Sequence, residues 1–550
     1  MSITQATLLL PPEAHIETST TSSNPDNPQT QQDIQLSNIN IRQNDLVPHP
    51  PPPAGLPEEQ GTPAHPISQG IPPELANLLS EVIFVLVCTA GQVIFSLTMG
   101  QVSVTQFVFR EALGMLPAQT PWLIGSSALA SGLSVIVFGP LADLAPPKPL
   151  MVGAFLWEAV WNGVTAAAVS PELKVLFFVA RAMQGLAVGV LVSASMSILG
   201  RVYNPGIRKT RVFSMMAAGA PFGYWIGCVQ GGLLSAHLPW IFGTTAIFLA
   251  ACAVAAYFTI PDLRPAADGG SSAERPSVRQ FDYIGALLAS LGCGLVLFGL
   301  TQGSAVQWSA YTYVSVILGL LMLVGFHFAE RRVKRPLIPS GLWRTPGFIA
   351  VLVSYVFGFG AYTGAWQFYA IQFWLRYQGA SPLTAALYIL PNGIVGVLAA
   401  WVVSKTLHVV PGHWILAISM VCFGLGPVFF LPQTPSSSYW SLSLPGVALA
   451  TFGPDLSFAA ATIFVTSSVP RSYQGSAGSL LVTVQNLTLA IAASVFGSVG
   501  IKVGMLPDGE VGLEGMRAIW WFGLGSALLG ALITITMVRI PKAEEKEHVQ

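Results

Sequence analysis

Three ionisable side chains, Glu158, Arg181 and Asp455, fall inside long apolar stretches. Each costs roughly 2.5 to 3.5 kcal/mol at the centre of a membrane helix, so each needs a partner, a wet cavity or a change of protonation. For a carboxylic acid the last is the easiest. Burial favours its protonated form, and water or an approaching cation favours the ionised one. An acid that alternates between two surroundings therefore takes up and releases a proton in each cycle. Asp455 follows Gly453 and Pro454. The proline removes a backbone donor and leaves carbonyls free at mid-membrane, the interrupted-helix pattern of a transport site. Arg181 stays charged at any accessible pH and is read either as part of the coupling machinery or as a structural ion pair with Glu158 or Asp455. Glu158, between Trp157 and Trp161 and one turn before Asn162, is read as a proton-coupling acid or as a packing acid.

Other residues could shape a path. Gln92 and Gln101 in the first apolar stretch, with Tyr362, Trp366 and Gln367 in the ninth, supply amides and rings. Such groups suit a cavity for a mostly apolar solute with a few hydrogen-bonding groups. Gly219, Gly223, Gly227 and Gly231 recur every four residues, with Pro221 and Gly232 beside them. One small-residue face with a bend is a surface on which two helices pack closely, slide or seal. Catalytic constellations are absent from the sequence. The eight histidines sit in tails, loops or near the ends of apolar stretches, and no HExxH, Walker A or GxSxG pattern occurs. The reading is therefore neither an enzyme nor an ATP-driven pump, and no cofactor or metal is expected.

The elements that must position these residues follow from composition. Of 550 residues, 52% are hydrophobic and 9% charged, against about a quarter charged in a soluble domain, so most of the chain must face lipid. Net charge is zero, which leaves no overall field to attract nucleic acid. Residues 1–75 hold 14 of the 41 prolines, eight acids, one base (Arg42) and no Phe, Trp or Tyr, and should form a disordered cytosolic tail. The first 25 residues lack the pattern of a signal peptide, so insertion is expected to begin with the first true span. From Val82 onward, fourteen apolar runs each reach the length that crosses about 30 Å of hydrocarbon. They lie near 82–104, 121–142, 150–169, 175–199, 212–234, 239–260, 283–302, 311–329, 347–369, 383–403, 413–431, 441–467, 476–500 and 518–538. With both ends cytosolic, Lys and Arg divide 19 to 5 between inner and outer segments, a strong positive-inside bias. The polar stretch 261–282 separates six spans from eight. Taking 283–329 as an inserted, lipid-facing pair leaves bundles at 82–260 and 347–538 and a tail at 539–550, a 6 + 2 + 6 all-α plan.

Specific motifs then resemble a family. Gly139 to Lys148, "GPLADLAPPK", is similar to the loop signature between the second and third spans of the major facilitator superfamily, with Gly139, Asp143 and Lys148 in register. "ARAMQGLAVG" resembles its fourth-span motif, which places the buried arginine at Arg181 and Gln184 after it. "GAPFGYWIGCVQGG" (Gly219 to Gly232) resembles the fifth-span antiporter signature. Fourteen spans resemble the drug:proton antiporter branch. Within it, Phe452 to Asn486 and "WWFGLG" (Trp520 to Gly525) resemble fungal transporters of the aminotriazole-resistance type. The resemblance implies a cavity lined by spans one, four, nine and twelve, with Arg181 and Asp455 in facing halves and Gln184 among the solute-contacting residues.

The expectation is a monomeric, multi-pass transporter that exports a drug, toxin or secondary metabolite in exchange for protons. Asp455 carries the proton, Arg181 is its electrostatic counterpart, the span-five glycines form a sliding seal, and the Asp143 loop is a cytosolic latch. A facilitative or proton-symport importer on the same fold, and a non-transporting sensor, are the alternatives. The plasma membrane is the simplest location and the vacuolar membrane the alternative.

Overall fold

The computed structural model describes residues 72–541, apart from 73, 76, 204–206, 263–280, 307, 334–335, 407–408 and 470–473. The expected tails at 1–75 and 539–550 and the stretch 261–282 therefore lie almost wholly outside the described residues.

Fourteen helices are long and apolar enough to cross a membrane. They are Leu78–Val104 (α1), Pro117–Leu141 (α2), Pro147–Ala167 (α3), Lys174–Val202 (α4), Arg211–Leu233 (α5), Leu238–Thr259 (α6), Tyr283–Gly303 (α7), Ala310–Glu330 (α8), Phe348–Arg376 (α9), Pro382–Val403 (α10), Gly412–Phe430 (α11), Tyr439–Val465 (α12), Ser476–Gly504 (α13) and Leu513–Met537 (α14). All fourteen expected spans appear. Several begin on local signals. The Asn77 side chain accepts from Ser80 N at 2.8 Å to cap α1, Asp282 accepts from Gly285 N at 2.8 Å to cap α7, and Ser381 caps α10 ahead of Pro382. These side chains satisfy backbone donors that a helix leaves open at its start. α9 runs past its expected end because Tyr369, Gln372 and Trp374 are buried against neighbouring helices rather than lost to solvent. Among the described residues, the one β feature is an isolated bridge between Met505 and Val511 in the α13–α14 connection.

The packing repeats. α1 lies on α5, α2 on α4 and α3 on α6; correspondingly α9 lies on α13, α10 on α12 and α11 on α14. Two further contacts join the sets, α2 with α13 and α5 with α10, and these exchange with each other under the same correspondence. An internal repeat of this kind places a site where the repeats meet. α7 and α8 differ in character. α8 buries only Thr312 and Gly319 and exposes Val314, Ile317, Leu321, Val324 and Phe328, as a lipid-facing helix does. α7 is not merely lipid-facing, because it packs on both α2 and α13, where Trp122 Nε1 donates to Gln302 Oε1 at 3.1 Å.

Candidate functional site

At the centre, where α1, α2 and α5 meet α9, α10, α12 and α13, lies a cavity of about 140 Å³. Its walls carry Ser96, Ser103, Tyr224, Tyr362, Gln367 and Asp455, along with Asn392, Thr451 and Gln485. Asp455 is half-buried, and its Oδ2 is wholly buried without a hydrogen-bond partner. None of the residues lining the cavity is basic. Asp455 sits at a junction of three helices. A Cβ added to Gly396 of α10 would stand 3.7 Å from Asp455 Oδ2 and 2.6 Å from Cγ of Pro221 on α5. Beside it, Asn392 Nδ2 donates to Tyr362 Oη at 2.8 Å and to Thr451 Oγ1 at 3.3 Å, so α9, α10 and α12 are joined by one amide.

Local sequence explains the shape of the wall. Pro454 stands inside α12 and cannot donate to the carbonyl one turn before it. In α9 the segment Gly360–Gln367 winds as a π-helix, an arrangement frequent at functional sites. It carries Tyr362, Thr363 and Gln367 to the cavity. Trp366, in the same segment, turns away from it. Its ring is fully buried, packing at 5.2 Å from the Tyr362 ring and 6.0 Å from Phe430 and over Gly426.

The two other intramembrane charges are not at this cavity. Arg181 is completely buried. Its Nη1 donates to Gln184 Oε1 at 2.9 Å, its Nη2 reaches the carbonyls of Leu123 at 3.2 Å and Thr98 at 3.4 Å, and its guanidinium lies 5.8 Å from the Phe242 ring centre. Gln184 Nε2 donates in turn to Thr165 Oγ1 at 2.8 Å. Glu158 is also completely buried, with neither carboxyl oxygen hydrogen-bonded, while Asn162 Nδ2 donates to its backbone carbonyl at 2.8 Å. This polar core lies among α1, α2, α3, α4 and α6. The expected pairing of Arg181 with Asp455 is therefore corrected, as is the place of α4 and Gln184 in the cavity wall. The cause is steric. Gly185 and Gly189 press α4 onto α2 so closely that a Cβ on either would overlap Ser127 or Ser134, which turns the Arg181 face into the bundle interior.

Two other expected cavity residues are corrected as well. Gln101 donates to Thr245 Oγ1 at 2.7 Å and Gln230 Oε1 at 3.0 Å, joining α1 to α5 and α6. Gln92 is half-buried and is not among the residues lining the cavity. The glycine stripe also has a different neighbour. A Cβ on Gly219, Gly223, Gly227 or Gly231 would strike Thr89 or Val93, Val93, Leu97 and Gln101 in turn, all on α1 within the same six helices. Pro221 and Gly232 are the members that face across, against Gly396 and against Leu383 of α10. Gly139 meets Ser479 of α13. Lys148 pairs with Asp262 at 3.3 Å and lies 5.4 Å from the Tyr257 ring, whereas the Asp143 side chain lies outside the described residues.

Of the residues missed in sequence, Asn392 had a signal, since Pro391–Asn392 repeats the Pro454–Asp455 pattern inside an apolar run. Nothing in "GAYTGAWQ" marks a π segment.

The model for the Major Facilitator Superfamily matches residues 83–493. A low affinity ammonium transporter of Saccharomyces cerevisiae is 30% identical, over 86% of this chain and 92% of that protein. An efflux pump of Aspergillus terreus is 29% identical, over 84% and 88% of the two chains. The aminotriazole resistance protein of Saccharomyces cerevisiae is 28% identical, over 82% and 83%. Among solved structures, a peptide transporter in complex with sulfate is similar in fold, with a TM-score of 0.61 at 18% identity over 84% of this chain and 96% of that one.

Proposed function

The chain belongs to the major facilitator superfamily, and from that premise we propose that it is a proton-coupled secondary transporter that exports small organic molecules by alternating access. It is a multi-pass membrane transporter and not an enzyme. Efflux and resistance names among its relatives support export. The positive-inside bias supports cytosolic chain ends; the reading takes the chain as a plasma-membrane monomer whose halves, 82–260 and 347–538, rock about the central cavity.

The observation that carries the proposal is Asp455, an acid in the cavity wall with an unpartnered oxygen and no basic neighbour in that wall. A carboxylate so placed is stabilised by a proton in one arrangement, and by water or a cationic solute in the other. Competition between the two is sufficient for exchange. Tyr362, Asn392 and Thr451 present hydrogen-bonding groups to the solute, and aromatic walls from Phe95, Phe359 and Phe368 suit an apolar or cationic body. At about 140 Å³ the cavity has room for about four or five waters, at ~30 Å³ each, so a larger solute requires the halves to part. Arg181 and Glu158 are read as the charged core of the first six helices, acting on transport only by keeping α1 and α2 in place.

A second reading, facilitative or symport uptake of a small solute, is favoured by one observation, the relative named for ammonium. Proteoliposomes carrying the purified chain and offered methylammonium, aminotriazole or borate test both. Export predicts solute-driven proton movement that Asp455→Asn abolishes while solute exchange continues. Uphill transport that survives in Asp455→Asn would overturn the assignment, and accumulation down a reversed proton gradient would establish the second reading.

A further inference from the structure

Above the central cavity lies a smaller one of about 30 Å³, capped by the α13–α14 connection. Phe368 lines both, and no other residue does. Three helices carry the two cavities on consecutive turns. Ile124 of α2 lines the lower and Pro121 the upper, Phe368 of α9 is followed by Gln372 in the upper, and Leu489 of α13 lines the lower and Ala493 the upper. The two spaces thus form one column, divided by a ring that is 4% exposed.

The upper space is polar at its walls. Ser494 is 3% exposed, and its Oγ is buried without a partner; Gln372, Glu510 and Tyr369, whose Oη donates to Ala493 O at 3.0 Å, complete the polar lining. Room for one water with two or three polar neighbours is what a hydrated waypoint requires. Its cap is a tight hairpin. Leu506 N donates to Glu510 O at 2.8 Å, Gly512 N donates to Gly504 O at 2.7 Å, and Gly509 turns it at φ +80°, a conformation open to glycine. The cap is pinned from both sides. Glu510 pairs with Arg110, on the short helix Gln106–Ala112 that follows α1, and lies 3.8 Å from Arg376 at the end of α9, which itself meets Asp508 at 2.6 Å. Burial and the neighbouring Arg376 charge lower the affinity of Arg110 for its proton, and the Asp508 and Glu111 carboxylates oppose that shift.

We propose that solute passes between the central cavity and the face opposite the start of α1 along this α2, α9 and α13 column, and that Phe368 is the residue that decides passage. The upper space is a second, polar station, and Glu510 is the latch over its mouth. The proposal rests on the reading of the lower cavity as the solute site. Phe368 is also placed to move. It directly follows the π segment, and a one-residue change of register there turns the residues beyond it by about 100° about the helix axis.

The test is cysteine accessibility in the full-length chain, with the parent protein as background and a small, charged, membrane-impermeant thiosulfonate as probe. Ser436→Cys, on the exposed α11–α12 connection, identifies the preparation, intact cells or inside-out vesicles, in which the capped face meets the reagent. In that preparation Glu510→Gln should speed labelling of Ser494→Cys about tenfold, as expected for loss of a charged pair, while Thr363→Cys in the lower cavity stays protected. Adding Phe368→Ala should expose Thr363→Cys to a similar rate. Phe368→Trp, which keeps a ring in the column, should leave it protected, and this shows that the Ala effect is not unfolding. Labelling of Thr363→Cys with Phe368 intact, or protection of it when both residues are replaced, would overturn the proposal. Loss of solute-driven proton flux would leave these rates unchanged, so the two readings fail separately.

Discussion

Arg181 spends its donors on groups that only its geometry can reach together: one amide oxygen on its own helix and a carbonyl each from α1 and α2. A lysine ammonium is a single point of charge and cannot span them. Arg181→Lys should therefore leave buried carbonyls and Gln184 Oε1 short of donors. The cost is about 1–3 kcal/mol, read as a lower unfolding temperature in detergent, with the number of protons moved per solute unchanged. A changed proton count would restore Arg181 to the coupling machinery. Asp455 differs because the cavity wall it stands in carries no basic side chain. That contrast was legible in sequence only in part. An intramembrane charge announces that something must be arranged for it, but whether the arrangement is a carbonyl cage or a cavity depends on which face of the helix the packing turns inward. The glycines Gly185 and Gly189 that decide this for α4 stand four and eight residues beyond Arg181.

At the scale of elements, α1 and α5 behave as one unit. Their small-residue face and the Thr89, Val93, Leu97, Gln101 row repeat every four residues on both partners, and near the start of α1 Glu81 pairs with Arg208 and accepts from Tyr203 Oη at 2.9 Å. Gly227→Ala would place a methyl group inside the van der Waals envelope of Leu97 O. The helices must part, at about 1–3 kcal/mol for the overpacking, seen as reduced folded yield and a lower unfolding temperature. Gly232→Ala presses instead on the Leu383 backbone, with Cα 2.7 Å away across the junction with α10, and should slow transport with a smaller fall in unfolding temperature than Gly227→Ala. Reversed outcomes would return the stripe to its expected role as a seal. The spacing of four showed that a helix packs against the stripe but not which one, since any neighbour with a flat face satisfies it. The fourteen spans were legible because apolar length is a local property. The π segment in α9 was not, because its extra residue is stabilised by neighbours such as Ala492, which would strike a Cβ at Gly364.

For the whole molecule, the two junctions between the sets of six are unequal. α7 covers the one between α2 and α13, while the one between α5 and α10 has no added helix among the described residues. On the face away from the start of α1 the sets are held by Gln372 Nε2 donating to Gln106 Oε1 at 3.0 Å and by the Arg110, Arg376, Asp508, Glu510 cluster. Toward the other face, a Cβ on Gly139 would stand 3.3 Å from Ser479 Cβ, close to the separation a disulfide requires. If transport needs the halves to rock, then α2 and α13 must separate here once in every cycle. The pair Gly139→Cys with Ser479→Cys should then cross-link under mild oxidation and reduce solute flux to background, and a reductant should restore it. Each single variant, oxidised in the same way, should keep its flux. Full transport by the cross-linked protein would mean that this end of the junction stays closed throughout, and that any opening occurs at the uncovered α5 and α10 side, where Pro221 meets Gly396 beside Asp455.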